Sequence, residues 1–356
     1  MQGYKVYISG ESYAGMYGPY IANAILNTND TTYHQLSGMY LGDAVIGDNT
    51  QLYQSIPMLR FVEYHSSLFP FNNTFLDKIR TTDAECDYPS LLDNHLVYPP
   101  ISHLPSILPE VSENGTVTEE CTSLWWWILE AALCLNPCFD MYHIIASCPR
   151  VSDVLGFLAG IEYVPEGEKR YFDRGDVKAA IHAPRNVTWE VEEDGSGPSI
   201  IHALPSVIDK TQNVIIDHGQ LDMVLPSNGS LLAIQNMTWG GKLGFQNRPS
   251  EPFYVPDTNV VGENKVAIGG EGVLGSMVSE RGLTWVGVNL AGHILVEAQP
   301  GASYRQLEYL LGRVDCMNCT TPFTVGHLYY FDQAPNEMGE GTAPQGWSDH
   351  KPEEGL

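Results

Sequence analysis

The run Gly10-Glu11-Ser12-Tyr13-Ala14-Gly15 is the first place in this chain where residue types and spacing could do chemistry. A serine hydroxyl becomes a nucleophile when a base takes its proton. A strained strand-to-helix turn exposes it above the sheet, and small residues must flank it because strand and helix approach closely there. Gly10 and Ala14 meet that need. The common signature has glycine two residues after the serine; here Ala14 stands there, with Gly15 next. On pattern alone a plain helix cap also fits. Two further loops favour the nucleophile. Asp222 ends Gly219-Gln220-Leu221-Asp222, and His293 ends Ala291-Gly292-His293. The chain order Ser, Asp, His is that of α/β-hydrolases. Asp209 and Asp217 compete as the acid, and a lone histidine is usually structural. Asp217 is less suitable because it reads as a strand end, with no turn to aim it.

The elements that must position these residues follow from periodicity. Residues 5–10 read as a strand and 13–26 as a helix, joined by a tight turn. Residues 40–46 form a second strand-like run, and 51–64 show helical spacing. From about Asn72 to Pro165 the composition shifts to cysteines and prolines, as in an insertion; within it, 124–135 reads as a buried helix. Residues 171–183 make a turn entering a short helix, with Gly175 or Asp176 near its N-cap. Residues 213–217 are a short apolar strand and 218–222 its loop; 231–237 is helical. Residues 252–289 alternate like paired strands, 283–288 is the last clear strand, and 304–311 is helical. Residues 334–356, rich in Pro, Gly and Glu, read as a disordered tail. Strands alternating with helices indicate a mainly parallel α/β sheet. Ser12, Asp222 and His293 each follow a strand's carboxyl end, where ligand sites of such sheets collect.

Composition narrows the function classes. The chain has 356 residues, with 43 acidic against 18 basic side chains and a formal net charge of −25. That balance argues against nucleic acid and anionic membrane surfaces as partners, since both need clustered cations. No apolar run reaches the length of a membrane span. Seven cysteines stand at 86, 121, 134, 138, 148, 316 and 319, five of them in the middle region. Their clustering points to disulfide staples in an oxidising compartment, against reduced buried thiols as the alternative. Cys316 and Cys319 read as local pairing or free thiols. Glycosylation sequons begin at Asn29, Asn72, Asn114, Asn186, Asn228, Asn236 and Asn318. Together these features favour the secretory route. Low lysine and strong negative charge suit work in acid, where part of that charge is titrated. The start, Met1-Gln2-Gly3-Tyr4-Lys5, has no basic segment followed by an apolar one, so a natural N-terminal part is expected to be missing.

The run from Lys5 through Gly-Glu-Ser-Tyr-Ala-Gly-Met-Tyr-Gly-Pro-Tyr-Ile-Ala closely resembles the nucleophile segment of serine carboxypeptidases, especially the fungal secreted and vacuolar type. Gly219-Gln-Leu-Asp-Met-Val-Leu-Pro with Gln235-Asn-Met-Thr-Trp is similar to that family's acid loop. Ala291-Gly-His with Gln299-Pro and Ala302-Ser-Tyr-Arg is similar to its histidine loop, and residues 171–184 resemble a further family segment. The resemblance covers about residues 4–325. It implies that Ser12 attacks the last peptide carbonyl to form an acyl-enzyme, and that His293 moves the proton. Asp222 would orient the imidazole, and the Tyr13 N–H would donate into the oxyanion hole. Glu11 would belong to a carboxyl network that binds the substrate's terminal carboxylate. That requires a protonated Glu11, with its pKa raised by burial or by a neighbouring acid. Glu11→Gln is expected to remove the acid-side pH dependence of peptide binding. The other reading of Glu11 is a solvent-facing carboxylate near a helix N-terminus.

The resemblance also marks departures. Relatives carry Trp-Asn-Gly-Gly-Pro-Gly well before the nucleophile, supplying the second oxyanion donor and a carboxylate-binding Asn; this sequence has no counterpart. Core strands flanking the nucleophile strand are expected to be missing with it, leaving an apolar edge. Ile294-Leu295-Val296 replace the usual Met-Val-Pro or Glu-Val-Pro, and Glu190 stands where a cysteine often follows Trp189. Cys86, Cys121, Cys138 and Cys148 match family cysteines best, with Cys134 and the 316/319 pair additional; spacing leaves the pairing open. The expected architecture is an α/β-hydrolase core over 1–65 and 171–333, with an inserted cap over 66–170. The expected activity is serine-type carboxypeptidase action on peptide C-termini in a secreted or vacuolar, acidic setting. No cofactor or metal is implied. Acyl transfer or ester hydrolysis on the same triad, or an impaired truncated glycoprotein, are the alternatives.

Overall fold

A computed structural model describes residues 3–30, 32–47, 50–105, 119–146, 157–158, 161–162, 169, 171–186, 195–256 and 270–324. Its strands are β1 Lys5–Glu11, β2 Gln35–Gly42, β3 Phe157–Leu158, β4 Ile161–Glu162, β5 Val214–Gly219, β6 Thr238–Trp239, β7 Lys242–Leu243, β8 Glu251–Val255, β9 Gly272–Glu280 and β10 Leu283–Val288. Six of them form one sheet in the order β1-β2-β5-β10-β9-β8. The first four run parallel, while β9 and β8 are added antiparallel. The fold is that of an α/β-hydrolase.

Burial explains which strands sit centrally. Every residue of β5 (Val-Ile-Ile-Asp-His-Gly) and of β10 (Leu-Thr-Trp-Val-Gly-Val) is buried, as expected of strands covered on both faces. Alternate residues serve opposite layers: Val214 and Ile216 join the larger core, and Ile215 joins a second core with Val286, Val288 and Phe253. β1 lies at the edge, partly exposed, and among the described residues pairs only with β2. β9 and β10 are joined by Arg281-Gly282, both at positive φ (51° and 80°), the twist a two-residue hairpin needs.

The Ala14–Thr28 helix carries Pro19 in its interior. A proline has no N–H for the carbonyl four residues back. That carbonyl, on Gly15, instead accepts a 2.7 Å hydrogen bond from the Ser199 hydroxyl. The Glu119–Leu135 helix buries Cys121, Leu124, Trp125, Ile128, Leu129 and Ala132, one stripe at helical spacing. Cys121 is disulfide-bonded to Cys86 at the end of the Asn73–Glu85 helix.

Several elements differ from expectation. The second strand lies earlier, at 35–42, and residues 43–46 turn away from the sheet. The helical run 51–64 is broken into Thr50–Tyr53 and Ser55–Tyr64. β5 continues to Gly219, and the helix after it starts at Ser227 and ends at Gln235. In the short helix Gly175–Ala180 the N-cap is Arg174. The tail, Asn114, Cys148 and residues 187–194 lie outside the described residues.

Candidate active site

Ser12 follows the last residue of β1 at φ +58°, a left-handed conformation that strains a non-glycine residue. Its N–H donates to the Gly42 carbonyl at 2.8 Å, and its own carbonyl accepts from Gly15 and Val45 N–H, each at 3.0 Å. These three bonds hold the turn between the end of β2 and the start of the helix. The close approach is real on both sides of the serine. A Cβ on Gly10 would sit 2.5 Å from the Ala14 Cβ, and one on Gly15 would sit 2.3 Å from the Val45 carbonyl oxygen. Gly15, one position beyond the usual signature, is therefore the glycine the turn requires.

His293 Nδ1 donates to Asp222 Oδ2 at 2.8 Å. Asp222 is fully buried, and its other oxygen accepts from Val224 N–H (2.8 Å) and Leu225 N–H (3.2 Å). With Nδ1 as donor, the Nε2 lone pair is left to act as a base. Burial alone would push the His293 pKa down; the charge and hydrogen bond of Asp222, with the charge of Glu11, outweigh it and leave it raised. Ser12 lies at the end of β1, Asp222 just past β5 and His293 just past β10, all on one edge of the parallel strands. Among the described residues no hydrogen bond joins the Ser12 hydroxyl to His293.

Glu11 is solvent-exposed by surface area, because β1 is an edge strand among the described residues. Its carboxyl is nevertheless raised, first by partial desolvation; the charge of His293 opposes this, and those of Asp222 and Glu297 add to it. Partial burial is thus the main cause, and the neighbouring acids add to it. Tyr13 adjoins the turn with φ −63°, and its ring packs edge-on against Tyr17.

Two further groups shape the site. The first is a buried acid layer beneath it. Asp43 and Asp217 are fully buried, as is His218. Asp217 Oδ2 accepts from Tyr40 (2.5 Å) and Gln306 (2.8 Å), so this rival acid is committed elsewhere. Burial raises Asp217 to about 7. Asp43 Oδ1 accepts from Gly219 N–H at 2.9 Å, and burial followed by the charges of Asp222 and Asp217 pushes its carboxyl well up. Asp43, His218 and Asp222 bring three potential metal-ligand atoms within 4.8 Å. Both His218 nitrogens are engaged, Nε2 by the Leu225 carbonyl and Nδ1 by the Ser230 hydroxyl. Asp222 is likewise committed to His293 and two amides, so the group fits a hydrogen-bonded support better than a metal centre.

The second is the segment 139–146. Ile144 N–H donates to Leu221 (3.2 Å), and Met223 N–H donates to Met141 (2.9 Å). His293 N–H donates to the Tyr142 carbonyl (2.7 Å), and the two rings pack 5.2 Å apart. One stretch of chain thus ties the acid loop to the histidine loop. No short-range signal marks it; only the nearby cysteines drew notice. Cys138 is disulfide-bonded, Cys316 is bonded to Cys319, and Cys134 is free and exposed.

The sequence pattern of the serine carboxypeptidase family matches residues 1–313. The chain belongs to that family. It is 44% identical over 325 residues to a probable serine carboxypeptidase of Arthroderma benhamiae, covering 88% of this chain and 59% of the relative. It is 39% identical over 340 residues to serine-type carboxypeptidase F of Aspergillus niger, covering 89% of this chain and 62% of the relative. Among solved structures it resembles KEX1(delta)p, a prohormone-processing carboxypeptidase from Saccharomyces cerevisiae. That match has a TM-score of 0.55 at 20% identity and covers 87% of this chain and 62% of the other. The chain spans about three-fifths of the length of the curated relatives it matches.

Proposed function

We propose that this chain carries the triad of a serine-type carboxypeptidase, which removes C-terminal amino acids from peptides through an acyl-enzyme. The 2.8 Å bond from His293 to Asp222, on the same sheet edge as the strained Ser12, is the observation that supports this most. Ser12 Oγ attacks the last peptide carbonyl as His293 Nε2 takes its proton. The same imidazolium protonates the departing amino acid, and water then attacks the acyl-enzyme by the reverse route. Asp222 holds the imidazole in the required tautomer and stabilises its cation. The Tyr13 N–H donates to the oxyanion, an interaction worth roughly 3–4 kcal/mol in comparable enzymes. Glu11, when protonated, donates to the substrate's terminal carboxylate. In this reading residues 66–170 form a cap over a core of 1–65 and 171–333.

The disulfide between Cys86 and Cys121 supports an oxidising compartment, secreted or vacuolar. Asn29, Asn72, Asn186 and Asn318 are exposed, and Asn228 and Asn236 partly so, which suits glycosylation. No helix of the described residues is long and apolar enough to cross a membrane.

A fluorophosphonate probe should label Ser12, and Ser12→Ala should abolish labelling. Asp222→Asn should cut blocked-dipeptide hydrolysis by about 10⁴-fold with the fold intact by circular dichroism. Failure of the probe to react would point to the impaired form. Labelling with ester but no peptide turnover would point to acyl transfer or ester hydrolysis.

A further inference from the structure

Next to the His293–Asp222 pair stands a second acid that the proposed mechanism does not use. Asp43 is fully buried in the turn that follows β2, with φ +42°. Few residues other than Gly, Asn and Asp adopt that left-handed conformation readily. Its place links the two halves of the site. The carbonyl just before it, on Gly42, accepts the Ser12 N–H at 2.8 Å. Its own Oδ1 accepts the N–H of Gly219, the last residue of β5 before the Asp222 loop, at 2.9 Å. Its carboxyl is also hydrogen-bonded to that of Asp222.

Two carboxyls in such contact away from water cannot both be charged, so one of them keeps a proton. The neighbouring donors decide which. Asp222 accepts from His293 Nδ1 and from two backbone amides, and all three favour a carboxylate. Asp43 accepts from one amide, and its Oδ2 meets no donor. The other ionisable groups facing Asp43 bring no positive charge. Asp217 is an acid and Tyr40 a phenol, and His218 Nε2, 3.5 Å from Oδ1, belongs to an imidazole whose charged form burial disfavours. Burial, then the charges of Asp222 and Asp217, push the Asp43 carboxyl well up in the same direction.

We infer that Asp43 is a positioning residue for the triad: as a carboxylic acid it donates its proton to Asp222, fixing the carboxylate that orients His293 and moderating its pull on the imidazolium. The inference rests on the proposed carboxypeptidase reading.

The test uses the intact chain with isotope-labelled aspartate and histidine, followed by NMR, with signals assigned by their loss in Asp43→Asn and His293→Gln. The Asp43 carboxyl should still be protonated at about pH 6, where an ordinary aspartate is ionised. An Asp43 signal already ionised there overturns the inference. Asp43→Asn keeps an acceptor for Gly219, a donor for Asp222 and tolerance of the left-handed turn, so His293 should titrate as in the parent. The side chain in Asp43→Ser is too short to reach Asp222. The unrelieved carboxylate should then hold the His293 proton about tenfold more tightly, moving that titration to higher pH. A merely structural role would leave the titration where it is. His293 titrating alike in the parent and Asp43→Ser, or displaced equally in both variants, overturns the inference. If Asp43→Ser does not fold by circular dichroism, the carboxyl signal decides alone. Fluorophosphonate labelling of Ser12 reports separately on the catalytic reading, since the two titrations need no turnover.

Discussion

Glu11 sits beside Ser12, the proposed nucleophile, and feels three ionisable neighbours, and its proton decides what it can bind. A carboxylic acid donates a hydrogen bond to a carboxylate; a carboxylate repels one. Because the Glu11 pKa is raised, the donating form persists above the usual glutamate range, and binding weakens as pH climbs through that value. Glutamine keeps an N–H donor and does not titrate. In Glu11→Gln, KM for a blocked dipeptide should therefore stay flat between about pH 4 and 7, where the parent KM rises. A variant whose KM still rises in parallel with the parent would remove Glu11 from carboxylate binding. The kcat limb is separate. In the proposed mechanism His293 must be neutral to act as base, and its raised pKa moves that limb to higher pH.

Between strand and helix, the elbow is a packing device before it is a chemical one. A methyl group at Gly15 would meet the Val45 carbonyl at 2.3 Å, backbone that has no rotamer to move. Gly15→Ala should cost about 1–3 kcal/mol of stability, read from urea melts, and lower fluorophosphonate labelling because the serine turn must shift. Stability and labelling both equal to the parent would mean the turn is not tight. The serine turn was legible from small residues between an apolar run and a helix signature. The pairing of Pro19 with Ser199 was not, because the hydroxyl that satisfies the orphaned Gly15 carbonyl arrives from a distant helix. The end of β2 was misplaced for a similar reason. Residues 44–46 are as apolar as a strand, yet Asp43 at φ +42° turns the chain away from the sheet.

Over the whole molecule, buried acids set how stability follows pH. Burial raises Asp217 to about 7, and it raises Asp83 to about 7 against the opposing charge of Arg60. Asp43 is raised too. In the unfolded chain these groups titrate near 4. Between the two values these three groups hold more protons in the folded chain, so their contribution to stability is greatest below about pH 4 and declines as pH rises toward 7. Urea midpoints at pH 4.5 and 7.5 should show the loss, and Asp217→Asn should reduce it, since an amide cannot ionise. A midpoint that rises toward neutral pH would contradict this account.

Serine, aspartate and histidine at strand ends, in hydrolase order, were readable because turn chemistry and strand patterning are local and leave their mark within a few residues. The resemblance to serine carboxypeptidases added roles to those positions. Folding alone decided that Asp217 is consumed by Tyr40 and Gln306, that Glu11 stays exposed at an edge, and that residues 139–146 tie the Asp222 loop to the His293 loop. Each depends on which distant segments pack together, and the first and last on hydrogen bonds between residues far apart in sequence. Those energies do not exist until the sheet has brought the distant segments to one edge.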